Sequence, residues 1–145
     1  MGLNDDIGPG PVGLDTAAFI YFIEDDRRYA PLLAPLFARA GRGITIVTSA
    51  LTLLEVLVVP LRQGHWQLAE RYEQLLAHST GVALLDITRD QLRAAAALRA
   101  MRALKTPDAL QVAAALSAGC RTFVTNDRRL PEVPGLRVLQ LSDYA

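Results

Sequence analysis

The chain has 145 residues, 51% of them hydrophobic and 21% charged, which fits one well-packed domain and excludes both two ordinary domains and wholesale disorder. Its 15 basic and 15 acidic residues cancel, so long-range steering of a polyanion is excluded and any such ligand must meet a local basic patch. The single cysteine, Cys120, excludes an internal disulfide framework and fits a reducing cytoplasm.

The acidic, glycine- and proline-rich start predicts a flexible leader over 1–10, ahead of a single domain over 11–145. It lacks the basic head and apolar middle of a secretory signal. "PVGLD" (11–15) reads as a short strand running into a turn, although proline and glycine both weaken strands. "TAAFIYFIE" follows at helical spacing, with Phe19, Tyr21 and Phe22 as core or dimer contacts. "RYAPLLAPLFARAG" reads as a helix broken at Pro35 and stopped by Gly41. "ITIVTS" (44–49) is β-branched and continuous, as a strand buried on both faces should be. Ser49 can then cap the helix "ALTLLEVLVVPLRQG". That helix holds the longest apolar stretch (50–61), which is too short to cross a membrane and is interrupted by Glu55 and Pro60.

"HWQLAERYEQLLAHS" is amphipathic, with Leu68, Tyr72, Leu75 and Leu76 on one side. "GVALLDI" (81–87) reads as a strand and "TRDQLRAAAALRAMRAL" as a long helix capped by Thr88 or Asp90. In "LKTPDALQVAAALSAG" the pattern predicts Thr106 as N-cap, Pro107 at the first helical position and Gly119 beyond the end. Cys120 then fits a small core residue. "RTFVTND" (121–127) is a strand ending in a polar turn, and "LRVLQL" (136–141) a last strand. Strands alternating with helices predict an α/β fold with a mostly parallel sheet covered on both faces.

In such a sheet ligands gather at the carboxyl ends of the strands. Asp15 follows the first strand, Asp127 follows a later one, Asp108 opens a helix and Glu55 lies inside the helix after "ITIVTS". Each has a plain structural explanation: Asp15 as a helix cap, Asp127 as a turn residue and Asp108 as a charge at the positive end of a helix dipole. Glu55 is harder to explain so, because its neighbours are apolar and no basic residue stands three or four positions away. Clustered carboxylates without paired histidine or cysteine ligands suit magnesium or manganese (Mg2+ or Mn2+). His65, His78 and Trp66 read as surface or packing residues.

"VGLDTAAFIYFIE", "TSALTLLEVL", "TPDALQVAAAL" and "FVTNDRRL", in this order, resemble the PIN-domain family and within it the VapC-like toxins. The resemblance implies a three-layer α/β/α fold and a metal-dependent ribonuclease of the cytoplasm, the toxin of a type II toxin–antitoxin pair. Its acidic quartet falls on Asp15, Glu55, Asp108 and Asp127, which would hold Mg2+ or Mn2+ for phosphodiester hydrolysis. Thr16 matches the hydroxyl residue that often follows the first aspartate. Ala17 departs from the asparagine common next to it. Thr125 and Asn126 match the polar run that could orient the last acid or a bound water.

For RNA, the positive charge expected near this rim comes from Arg102, Lys105, Arg128 and Arg129, with Arg99 the better candidate for a solvated arginine face. The family implies a homodimer silenced by a small antitoxin protein, and the apolar helices 16–23 and 50–61 are the candidates for those contacts. The alternatives are a catalytically silent PIN-like interaction module and a non-toxin RNA-processing nuclease. A dehalogenase-type phosphatase or a phospho-receiver fits poorly, because the second aspartate of the one and the paired acids and late lysine of the other are missing.

Overall fold

β-Branched and apolar runs form five parallel strands in a computed structural model that describes residues 2–145. They are β1 (Val12–Leu14), β2 (Ile46–Ser49), β3 (Val82–Leu85), β4 (Thr122–Thr125) and β5 (Arg137–Gln140), side by side in the order β3-β2-β1-β4-β5. Every pairing is parallel, so the sheet is wholly and not merely mostly parallel. The helices are α1 (Leu3–Ile7), α2 (Thr16–Ile23), α3 (Ala30–Arg39), α4 (Leu51–Gln63), α5 (Trp66–His78), α6 (Arg89–Met101) and α7 (Thr106–Ser117), followed by a 3-10 turn at Leu141–Asp143.

Period-two alternation divides the strand side chains between two cores. Val12, Leu14, Ile46 and Val124 join the cluster built with α1 to α5, whereas Val47 and Phe123 join Val112 and Ala115 of α7 on the other face. The result is the expected α/β/α layering. Gly13 belongs to the second face, where an added Cβ would stand 2.6 Å from the Phe123 ring and 2.9 Å from Ala115 Cβ. The glycine that weakens β1 as a sequence is what lets α7 lie close over the sheet.

Strand order runs outward from β1 through β2 to β3, then resumes on the other side with β4 and β5. The chain therefore switches direction between β1 and β4, and a crevice opens at their carboxyl ends. Asp15 and Asp127 stand on its two sides.

Four expectations need correction. In place of a flexible leader over 1–10, α1 buries Leu3 and Ile7 in the main core, and Arg39 donates to Asn4 Oδ1 and to the Gly8 carbonyl at 3.3 and 3.1 Å. Amphipathic spacing of two large apolar residues outweighs the loop-forming composition around them. The helix at Ala30–Arg39 is not broken at Pro35 but runs through it. Pro35 and Pro31 are both exposed, so the backbone bond that Pro35 cannot make is lost on the outer side of the helix, where it costs least. Lys105, not Thr106, is the N-cap of α7, and the boundary falls one residue earlier than the spacing predicts. Of the two helices expected to be free for partners, α2 is packed, with Ala18 and Phe19 buried and Phe22 stacked on Phe37. By contrast, α4 exposes Leu54 (61%), Val58, Val59 and Leu61.

Candidate active site

Asp15 follows β1 and is the N-cap of α2. Its Oδ1 accepts from the Ala18 N–H at 3.1 Å, satisfying a donor that a helix start leaves open. Its Oδ2 accepts from the Thr125 hydroxyl at 2.5 Å. Burial raises the Asp15 carboxyl above its ordinary value, against the pull of hydrogen bonds from Thr125, Ala18 and the Asn126 backbone; the charge of Asp108 pushes it further up.

Asp108 lies in the first turn of α7. Burial and then the fields of Asp127 and Glu55 raise its carboxyl, while Lys105 and Arg129 draw it down. Its charge therefore reaches all three other acids. Glu55, one turn into α4, is half-buried and accepts from the Thr16 hydroxyl at 2.7 Å. The partner missing on its own helix is supplied by the residue after Asp15.

Asp127 follows β4 in a tight turn where its Oδ1 accepts from the Arg129 N–H at 2.9 Å and from Arg129 Nε at 3.2 Å. Those bonds hold its carboxyl below the ordinary range. Its own N–H donates to Thr125 Oγ1 at 3.1 Å and its carbonyl accepts from Gln140 Nε2 at 3.1 Å.

The four acids thus share one rim and one field. Among the described residues, no three acidic, histidine or cysteine side chains converge closely enough to grip an ion together. Their donor set nevertheless consists of carboxylate and hydroxyl oxygen alone, and no basic side chain forms an ion pair with Asp15, Glu55 or Asp108 among those residues. That chemistry fits a hard divalent cation. His65 and His78 stand exposed at the two ends of α5 and offer no paired nitrogen ligands.

The other candidates divide. Thr16 and Thr125 each contact an acid, as described. Asn126 reaches Asp15 only through its backbone; its side chain accepts from the Ser142 N–H at 3.1 Å and donates to Tyr21 Oη at 3.4 Å, pinning the turn to the C-terminal segment. Lys105 and Arg129 lie within the field of Asp108 and Asp127. Arg128 turns away to Ser142 Oγ (2.6 Å) and an ion pair with Asp143. Arg102 is spent on the Glu132 and Met101 carbonyls at 3.2 and 3.1 Å. Arg99 is not a free solvated arginine: it braces the α6–α7 junction through the Leu104 carbonyl and Thr106 Oγ1 at 3.0 and 2.9 Å.

Sequence reasoning misses a buried polar layer beneath Glu55. Gln111 of α7, Thr48 of β2 and Thr52 of α4 are buried and bonded to one another and to Thr16. A signal exists: Gln111 is three residues after Asp108 and Thr52 three before Glu55, so each shares a helix face with an acid.

The sequence matches the PIN domain family over residues 12–136. No curated protein matches it. Among solved structures it is similar to a toxin–antitoxin complex from Klebsiella pneumoniae, at 22% identity and TM-score 0.68, covering 91% of this chain and 98% of that one. It is also similar to VapBC2 from Rickettsia felis bound to a DNA fragment from their promoter, at 19% identity and TM-score 0.68, covering 89% and 97%. A third is VapC20 from Mycobacterium tuberculosis, described as a sarcin–ricin loop cleaving toxin, at 19% identity and TM-score 0.61, covering 77% and 86%.

Proposed function

The chain belongs to the PIN domain family, and on that footing we propose that it is a metal-dependent ribonuclease, the toxin of a type II toxin–antitoxin pair. One observation carries the reading: Asp108 lies within the field of Asp15, Glu55 and Asp127 at the crevice where the strand order reverses. Half-buried carboxylates so placed repel one another, an arrangement with no evident structural benefit. The toxin assignment draws on the fold shared with VapBC proteins and with the loop-cleaving VapC20.

Asp15, Glu55, Asp108 and Asp127 would hold magnesium or manganese, which supplies positive charge against the negative charge developing on a phosphodiester under attack. Thr125 and Thr16 orient Asp15 and Glu55 by donating to them. Lys105 and Arg129 stand where the substrate backbone would pass, and phosphate contacts from them carry no base preference. Arg102 and Arg128, committed elsewhere, are lesser contributors. In this reading the protein works in the cytoplasm as a homodimer and is silenced by a small antitoxin protein.

The test is manganese-dependent cleavage of a mixed structured-RNA pool by the wild type and Asp108→Asn, with a chelator control. Asparagine keeps the shape and removes the charge. Cleavage lost in the variant and in the chelated sample, with the fold intact, supports the nuclease. Equal activity in the variant refutes the site, and no cleavage by either protein, in this pool or with an rRNA-loop substrate, favours a silent binding module.

A further inference from the structure

The layer beneath Glu55 is one connected set of hydrogen bonds among Gln111, Thr48, Thr52 and Thr16. The Ser49 backbone N–H, which can only donate, points at Gln111 Oε1 at 3.4 Å. This fixes the sense of the Gln111 amide, so that Nε2 faces Thr52 Oγ1 at 2.6 Å and Thr16 Oγ1 at 3.2 Å. With Thr52 accepting from Gln111, its own proton has two acceptors, Thr48 at 2.8 Å and Thr16 at 3.0 Å, and the Thr48 hydroxyl lies 3.2 Å from Gln111 Oε1. With the shorter of the two taken, Gln111, Thr52 and Thr48 close a ring in which every donor points the same way, a geometry in which each bond strengthens the next. The second Nε2 hydrogen occupies a lone pair of Thr16, whose single proton is then directed to Glu55 Oε1.

We propose that Gln111 is a positioning residue: through the fixed sense of its amide it orients the Thr16 hydroxyl and thereby holds the Glu55 carboxylate in place for the reaction. The inference rests on the ribonuclease reading for its catalytic consequence but not for its geometry. Gln111 touches no acid itself; it acts through Thr16.

The decisive experiment compares wild type, Gln111→Met, Thr16→Val and the double variant. Methionine conserves length and removes both donors. The crystal structure of Gln111→Met is expected to show Thr16 Oγ1 rotated out of hydrogen-bond reach of Glu55. With a mixed-sequence fluorogenic RNA and Mn2+, kcat is expected to fall about tenfold in each single variant, with KM little changed and no further loss in the double. A Thr16–Glu55 contact that survives in Gln111→Met, or losses that multiply in the double variant, overturns the proposal. If Gln111→Met does not fold, side-chain amide NOEs in the wild type decide: contacts from Gln111 Nε2 hydrogens to Thr16 and Thr52 support it, and contacts to the Ser49 amide overturn it. If the wild type cleaves nothing, the ribonuclease reading fails alone, because the crystal structure and the NOEs still judge the positioning role.

Discussion

Thr125 donates its hydroxyl to Asp15 across 110 residues of sequence, and the same oxygen accepts the backbone N–H of Asp127 two residues on. One side chain at the end of β4 therefore sets two acids from opposite sides of the switch point. Replacing it with valine keeps the shape and β propensity but strands the buried Asp15 oxygen and the Asp127 N–H. Thr125→Val is expected to lose about 1–3 kcal/mol of stability in urea denaturation and to lower RNA cleavage at least tenfold.

Asp108 is expected to make the fold less stable near neutrality. Its carboxyl is raised in the folded chain above the 3.8 of an unperturbed aspartate. Between 3.8 and the folded value, the native state keeps a proton that the unfolded chain has released, so stability falls as pH rises through that window and stays low above it. Asp108→Asn removes this penalty. Calorimetry should find the variant melting higher than wild type at pH 7, by about 2–4 °C for each kcal/mol relieved, with the gap closing as pH falls to 3.8. Asp127, held below its ordinary value, acts in the opposite sense: its contribution is complete above 3.8 and is lost as pH falls through the folded value. An Asp108→Asn advantage that grows on acidification would contradict this account.

Manganese should reverse the ranking. An ion that binds only the folded chain adds about 2.7 kcal/mol at a hundred times its dissociation constant. Titrating Mn2+ into thermal melts is expected to raise the wild-type midpoint and to leave Asp108→Asn almost unmoved, with no substrate present.

Removing basic side chains one at a time should separate Lys105 and Arg129 from Arg128. Lys105→Ala and Arg129→Ala are each expected to weaken RNA binding and to reduce the salt slope by about 0.7 for each single-strand phosphate left without its cationic partner. Arg128→Ala should change neither appreciably, since its guanidinium is engaged by Ser142 and Asp143. Fluorescence anisotropy across a salt series reads both quantities.

The N-terminal helix is expected to act as part of the core. Ile7→Ala removes a side chain that is 4% exposed and should cost about 2–3 kcal/mol in urea, whereas an unstructured leader would tolerate it.

The acids are legible in the sequence because each sits at a junction that the alternation of strands and helices already marks: Asp15 and Asp127 just past strands, Asp108 at a helix start. Glu55 is legible for the opposite reason, as a charge among apolar neighbours. What the chain hides is the set of tertiary partners. Spacing in "DALQVAAAL" puts Gln111 on the face of Asp108 but does not name its partners; the packing of α7 over Gly13 brings it against Thr48 and Thr52. The basic residues mislead for a related reason. Proximity in sequence to an acid says nothing about which carbonyl or carboxylate an arginine finds first, and Arg102 and Arg128 find theirs elsewhere. The first ten residues mislead through composition, which averages over the two apolar side chains that anchor them.

The strand order also imposes a schedule. Because β4 completes the central pairing with β1, and the segment from Gln140 to Asp143 clips the turn that carries Asp127, the rim joins the first strand of the sheet to its last two. A half-made polypeptide holds Asp15 and Glu55 without Thr125 or Asp127 beside them. The site therefore waits on β4 and β5, and chain connectivity acts as its safety catch.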